Sequence, residues 1–186
     1  YNLSNIIAAT AVSLSMEIPA EKIEHALKRM PPIPGRLEHI PCEGPGKVFV
    51  DYAHTPDAYE KLFSNLKNLA EEQVEIFVVF GCGGDRDTKK RKEMAAIAEK
   101  YATFSFVTMD NPRTESLEKI NSDIIKGFSD SDYEVISDRN NAIQAALDKM
   151  DKKSILLVLG KGRENYQETG KLHQGLQDRF QSQGES

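Results

Sequence analysis

VEIFVVFGCGGDRD, residues 74–87, opens with an apolar run, sets three glycines in four positions, and closes on charge. No polar side chain interrupts Ile76 to Phe80. A strand with one wet face alternates, whereas a strand covered on both faces of a parallel sheet reads as a continuous run. Gly81, Gly83 and Gly84 then allow a tight turn and a close backbone approach. After Asp85, Arg86 and Asp87, the residues Met94, Ile97, Ala98 and Tyr101 repeat at helical spacing. The glycine loop is therefore expected at the carboxyl edge of a sheet, where open α/β sheets bind ligands.

The same alternation recurs on both sides. Lys47 to Asp51 reads as a strand running into DYAHTPD, residues 51–57. There Thr55 suits an N-cap, Pro56 the first helical turn and Asp57 the positive end of the helix dipole. Ala58, Leu62, Phe63, Leu66 and Leu69 form the stripe of that helix. Residues 103–109 read as a strand ending at Asp110-Asn111-Pro112-Arg113, followed by a helix with Leu117, Ile120, Ile124 and Phe128 inward. Residues 133–137 read as a strand, and Ile143, Ala146, Leu147 and Met150 mark the next helix. The last strand, 154–159, ends at Gly160-Lys161-Gly162-Arg163-Glu164. Repeated strand–helix alternation predicts an α/β domain: a Rossmann-like, mostly parallel sheet with helices on both faces. The polar chain from Gln167 onward is expected to fray.

Upstream, residues 2–16 are apolar and alanine-rich and read as a helix, and Ile23, Ala26, Leu27 and Met30 mark a second. Pro31-Pro32-Ile33-Pro34-Gly35 reads as a stiff connector. So short a helical stretch cannot build a core of its own. Residues 1–34 are accordingly expected to be the end of another domain plus a linker, and 35–186 the α/β domain; a start at YNLSN reads as a cut piece of a longer protein.

Composition narrows the function classes. With 39% hydrophobic and 28% charged residues the chain suits a soluble globular protein. A net charge of −5 with no basic stripe argues against nucleic acid. No apolar run reaches membrane-spanning length. Cys42 and Cys82 have neither CxxC nor metal spacing, which suits a reducing cytoplasm, and no metal-ligand set is expected within these residues.

The loops carry the chemistry. GCGGDRD is not the dinucleotide fingerprint, because Arg86 stands where a third glycine belongs, and no G-x-x-x-x-G-K-[ST] phosphate cradle occurs in the chain. Arg86 offers an always-charged fork for a carboxylate or phosphate. A plain turn accounts for Asp110, Asn111 and Pro112 but gives Arg113 no role. Together the set suits a zwitterion: Asp110 and Asn111 could take an ammonium and Arg113 a carboxylate. Glu164 adds a carboxylate at the same edge, while Gly160-Lys161-Gly162 alone reads as a flexible turn and leaves Lys161 without a role. Lys89 to Lys92 read as a solvated helix start, and His25, His39 and His173 as surface residues. His54 stands out only through its neighbours.

Taken together, DYAHTPDA, FGCGGDRD, DNPR and GKGxE, in this order and spacing, resemble the C-terminal domain of the Mur ligases. Tyr1-Asn2-Leu3-Ser4-Asn5 with Ala8-Ala9 resembles the last helices of that family's central ATPase domain, and Pro34-Gly35-Arg36 its hinge. The resemblance implies an ATP-dependent ligase of peptidoglycan precursor synthesis, on the branch that extends UDP-MurNAc-L-Ala-D-Glu by a third residue. ATP would phosphorylate the D-glutamate carboxylate, the amine of the incoming amino acid would attack the acyl phosphate, and Mg²⁺ would neutralise the phosphates. It further implies that Asn5, Arg36, Asp51 and His54 serve ATP, and that Arg86, Asp110, Asn111, Arg113, Gly160 and Glu164 hold the amino acid. In the family DNPR goes with meso-diaminopimelate rather than lysine. A cytoplasmic monomer is expected, with its catalytic and metal-binding groups outside these residues, so that the chain alone is inactive. Arg163 departs from the family's usual His. Two rival readings are a lysine-adding or folylpolyglutamate-type relative, and a stand-alone amino-acid binding module without chemistry.

Overall fold

The computed structural model describes residues 2–42, 44–69, 74–130, 132–164, 166–169 and 172–175. By its contacts the chain divides into two units, Tyr1–Ile33 and Pro34–Ser186. The first is a helix pair, α1 (Asn2–Ser15) and α2 (Ala20–Lys28), with Pro19 at the N-cap of α2. Ile23 is buried there, while Leu3, Ile7, Val12, Leu14 and Met16 lie exposed.

The second unit runs β1 (Glu38–Ile40), β2 (Lys47–Asp51), α3 (Pro56–Leu69), β3 (Ile76–Phe80), α4 (Lys89–Tyr101), β4 (Phe104–Val107) and α5 (Leu117–Ile125). It continues with β5 (Tyr133–Val135), α6 (Arg139–Lys149), β6 (Ile155–Leu159), β7 (Tyr166–Thr169) and β8 (Leu172–Gly175). The main sheet has the order β1-β2-β6-β3-β4-β5, parallel except for β1, which pairs antiparallel with β2. The α/β class and mostly parallel sheet are as expected.

All five residues of β3 are buried, and the reason for its unbroken apolar run is visible in the packing. Ile76, Val78 and Phe80 face a core shared with Tyr59, Phe63, Met94 and Ile124. Phe77 and Val79 face the opposite core, with Ile143, Ala146 and Leu156. Helix α3 starts as the DYAHTPD pattern predicts: Thr55 Oγ1 accepts from the Ala58 amide at 3.3 Å, and Pro56 is the first helical residue. Ser116 caps α5 and Asp138 caps α6 in the same way.

The order of strands positions the site. The chain steps from β2 to β3, goes outward to β4 and β5, then returns through α6 to lay β6 between β2 and β3. The carboxyl ends of β2, β6, β3 and β4 therefore stand side by side, at a point where the winding direction reverses. Registers Asp51↔Leu159, Val79↔Val158 and Phe80↔Val107 bring the four following loops to one edge.

Three features differ from the sequence reading. The edge strand β1 was not expected; it is three residues long and lacks a strand's alternation. Tyr166–Thr169 pairs antiparallel with Leu172–Gly175 rather than fraying, and the rest of the tail expected to fray, from 176 onward, lies outside the described residues. Arg91, inside the supposedly solvated cationic run, is fully buried. Its guanidinium bonds Glu115 at 2.6 Å, Asp123 at 3.1 Å and the Gly83 carbonyl at 3.2 Å. These partners lie in other elements, so no local pattern betrays them.

Candidate active site

The glycine loop is shaped first by its neighbour. A Cβ on Gly81 would sit 2.2 Å from the Thr108 carbonyl oxygen, and one on Gly84 would sit 1.9 Å from that of Pro112. The glycines let the β3 and β4 loops lie backbone against backbone, and the Gly84 amide donates to the Asn111 carbonyl at 2.8 Å. Asp85, at φ 53°, accepts from the Thr114 amide at 3.0 Å and from its hydroxyl. The two loops thus form one rigid wall.

The wall borders a cleft of about 350 Å³ at the sheet edge. Arg86, Asp110, Asn111, Arg113, Gly160 and Glu164 all line it, and so does His54. Tyr52, Lys90, Met94, Tyr166 and Glu168, to which the motif reading gave no part, also line it, and buried Lys161 bonds two of the lining residues from beneath.

Lys161 organises the floor. Only 1% exposed, it donates to Asn111 Oδ1 at 2.8 Å and to the Tyr166 carbonyl at 3.0 Å. Its Nζ lies 3.9 Å from Asp110 Oδ1 and 3.8 Å from Glu164 Oε2. A buried ammonium that satisfies an amide oxygen and stands between two carboxylates holds three ligand candidates in place. Asn111 Oδ1 also accepts from the Glu168 amide at 2.9 Å, which turns its NH₂ toward Glu164. Tyr52 donates its hydroxyl to Glu164 Oε1 at 3.0 Å. That bond, with partial burial, holds the Tyr52 phenol above its ordinary pKa.

Within the lining, Asp110 and Glu164 stand about Lys161, while Arg113 reaches across Gly83, its Nη1 donating to the Gly84 carbonyl at 3.0 Å, with exposed Arg86 also against Gly83. Gly160, at φ 104°, passes so close that a Cβ there would be 2.8 Å from Asp110 Oδ2.

Of the residues expected to serve ATP, Arg36, Asp51 and His54 lie in the second unit and Asn5 in the first. His54 lines the cleft, its Nδ1 2.8 Å from the Tyr52 carbonyl. Arg36 is exposed, with its guanidinium carbon 5.1 Å from the centre of the Tyr52 ring. Asp51 is only 2% exposed, and its oxygens accept from the Leu37 amide at 2.6 Å and the Ala53 amide at 2.7 Å. Asn5 is exposed on α1 in the first unit. Arg163 pairs through Nε and Nη2 with Glu38, the Nε bond being 2.8 Å. Glu38 also accepts from the Gly35 amide at 2.7 Å, and the guanidinium holds its carboxyl below the ordinary range. Among the described residues no group of three or more His, Cys, Asp or Glu is placed to hold a metal ion.

The family description "Mur ligase, glutamate ligase domain" matches residues 35–162, which include every wall of the cleft up to the β6 loop. The chain belongs to the Mur ligase family. Among curated Mur ligases, the UDP-N-acetylmuramoyl-L-alanyl-D-glutamate–2,6-diaminopimelate ligase of Bacillus cereus is 40% identical over 179 residues, covering 96% of this chain and 36% of that protein. The ligase of the same name from Chlamydia pneumoniae is 43% identical over 168 residues, covering 90% of this chain and 34% of its own length. A solved ligase of that name superposes with a TM-score of 0.71 at 32% identity, over all of this chain and 39% of its own. The fold extends to a bifunctional folylpolyglutamate synthase/dihydrofolate synthase from Yersinia pestis, solved with AMPPNP and a Mn ion, at a TM-score of 0.65 and 23% identity over 82% of this chain and 34% of that one. The chain thus spans about a third of the length of the curated Mur ligases it matches.

Proposed function

We propose that this chain is the amino-acid-binding part of an ATP-dependent Mur ligase that joins meso-diaminopimelate to UDP-MurNAc-L-Ala-D-Glu in peptidoglycan precursor synthesis. The observation that carries the reading is the charge arrangement of the cleft. Asp110 and Glu164, flanked by Asn111 and fixed by Lys161, suit an ammonium. Arg113 and Arg86, both against Gly83, suit a carboxylate. Meso-diaminopimelate has an ammonium and a carboxylate at its distal end, and lysine has the ammonium alone. The names of the relatives, at 40% and 43% identity, support the same substrate.

In this reading the chain orients its substrate and holds its charges, and ATP supplies the energy for the amide bond. Binding the zwitterion in a fixed pose presents its reacting amine and removes the entropy cost of a second-order encounter. The ATP roles of Asn5, Arg36, Asp51 and His54 are carried over from the family. Asp51 offers little surface while it holds the Leu37 amide, so its contact with a ribose requires the segment around Arg36 to lift. Mg²⁺ would neutralise the charge on the ATP phosphates. A reaction that uses ATP on a UDP-linked precursor belongs in the cytoplasm; no described helix is long and apolar enough to cross a membrane.

Phosphate release by the full-length protein, with ATP, Mg²⁺, UDP-MurNAc-L-Ala-D-Glu and either amino acid, tests the proposal. Turnover with diaminopimelate on the order of 1 per second or more is expected, with lysine a far poorer substrate. Equal use of lysine would overturn the substrate assignment. No turnover with any amino acid would favour a binding module. The 186 residues alone should show none, since the chain lacks a phosphate-cradling glycine loop.

A further inference from the structure

The Arg113 guanidinium is already matched with a carboxylate from its own chain. Its Nε lies 2.6 Å from Glu168 Oε2, with the two side chains 22% and 24% exposed. Glu168 belongs to β7, in the hairpin that follows the GKGRE loop. The main chain fixes this approach: the Arg113 amide donates to the Glu168 carbonyl at 3.0 Å, and the Glu168 amide donates to Asn111 Oδ1 at 2.9 Å. Arg113 itself stands at φ 52° and bridges to Thr169.

A guanidinium grips a carboxylate bidentately through one of two edges, Nε with Nη2 or Nη1 with Nη2. On Arg113 the second edge is engaged, because Nη1 donates to the carbonyls of Gly84 at 3.0 Å and Asn111 at 3.4 Å. The first edge is held by Glu168. A ligand carboxylate entering the cleft must therefore take the place of Glu168 on Nε. Backbone anchors hold the strand, so the exchange moves the Glu168 side chain and leaves the strand in place.

We infer that Glu168 is an internal stand-in for the distal carboxylate of the amino-acid substrate, and so a specificity-determining residue. The inference rests on the proposed function. Before substrate binds, the pair spares Arg113 the cost of an unpaired, largely buried charge. A substrate with a distal carboxylate swaps one carboxylate for another and gains only the difference. A substrate with an ammonium alone leaves the Arg113–Glu168 pair in place and forfeits little. Glu168 thus lowers affinity for the dicarboxylate substrate and softens discrimination against lysine.

The test is kinetic, in the full-length protein, with Glu168→Gln, Glu168→Ala, Arg113→Ala and the Arg113→Ala/Glu168→Gln double variant. A partly exposed ion pair contributes modestly, so either Glu168 change should raise kcat/KM for diaminopimelate about two- to fivefold, through KM. Lysine should gain nothing, and Glu168→Gln should add nothing to Arg113→Ala. A raised KM for diaminopimelate in Glu168→Gln would show that Glu168 binds the substrate and overturn the inference. Equal shifts for both amino acids, tracking a change in Tm, would show a purely structural pair and do the same. Wild-type protein that does not turn over diaminopimelate would instead defeat the proposed function, and the inference with it.

Discussion

Lys161 shows how one side chain can hold a site that its motif does not announce. Read as GKG, the segment is a flexible turn; folded, its lysine is 1% exposed and touches Asn111, Tyr166, Asp110 and Glu164. Removing one member of a buried charged network leaves the others uncompensated. Lys161→Met should therefore destabilise the protein by about 2–4 kcal/mol and raise the KM for the amino acid more than that for ATP. Urea unfolding and steady-state kinetics check the two effects. Lys161→Arg should restore neither, because a planar fork cannot reproduce a compact ammonium among these oxygens. Retained stability and an unchanged amino-acid KM in Lys161→Met would show that the floor does not depend on it.

Elements are tied together by charge as well as by apolar packing. Helix α4 docks on the β4 loop and α5 through Arg91, whose partners Glu115 and Asp123 are 10% and 22% exposed. The Arg91 hydrogen bonds hold the Glu115 carboxyl at about 2, from an ordinary 4.5. A folded-state pKa below the unfolded one contributes stability that is complete above the unfolded value and is lost as pH falls toward the folded one. Between about pH 5 and pH 2 the wild type should lose on the order of 2 kcal/mol more than Glu115→Gln, after allowing for solvent screening. Urea titrations at several pH values measure the difference; parallel curves would remove Glu115 as the source. Apolar periodicity exposes much about such elements, including β3, the α3 cap at Thr55 and the faces of α3 and α4. It is blind to β1, which is short and irregular, and to the β7–β8 hairpin, which is polar. It also misjudges Arg91, because KKRK looks like a solvated face until Glu115 and Asp123 are brought to it from elsewhere in the chain.

At the level of the domain, the strand order gathers the β2, β3, β4 and β6 loops into one cleft. Loop residues at strand ends could be picked out one by one from the sequence, and Arg86, Asp110, Asn111, Arg113, Gly160 and Glu164 do meet. What periodicity could not show is which pairs form inside the cleft, since Lys161–Asn111 and Arg113–Glu168 depend on loops that converge only after folding. Under the proposed function, Asp110 and Glu164 would take the ammonium and Arg113 the carboxylate of an amino acid that carries a second zwitterion. The measurement is competition between diaminopimelate and lysine in the full-length protein, for wild type and Arg113→Ala. Loss of a charge-assisted bidentate pair, reduced by the exchange with Glu168, should cost about 1.5–3 kcal/mol, or roughly tenfold or more in kcat/KM for diaminopimelate. Lysine has no distal carboxylate to lose, so its kcat/KM should hold steady or rise slightly. If Arg113→Ala lowered both amino acids equally, Arg113 would serve the fold or the reaction in general, and the cleft would not be the source of the selectivity.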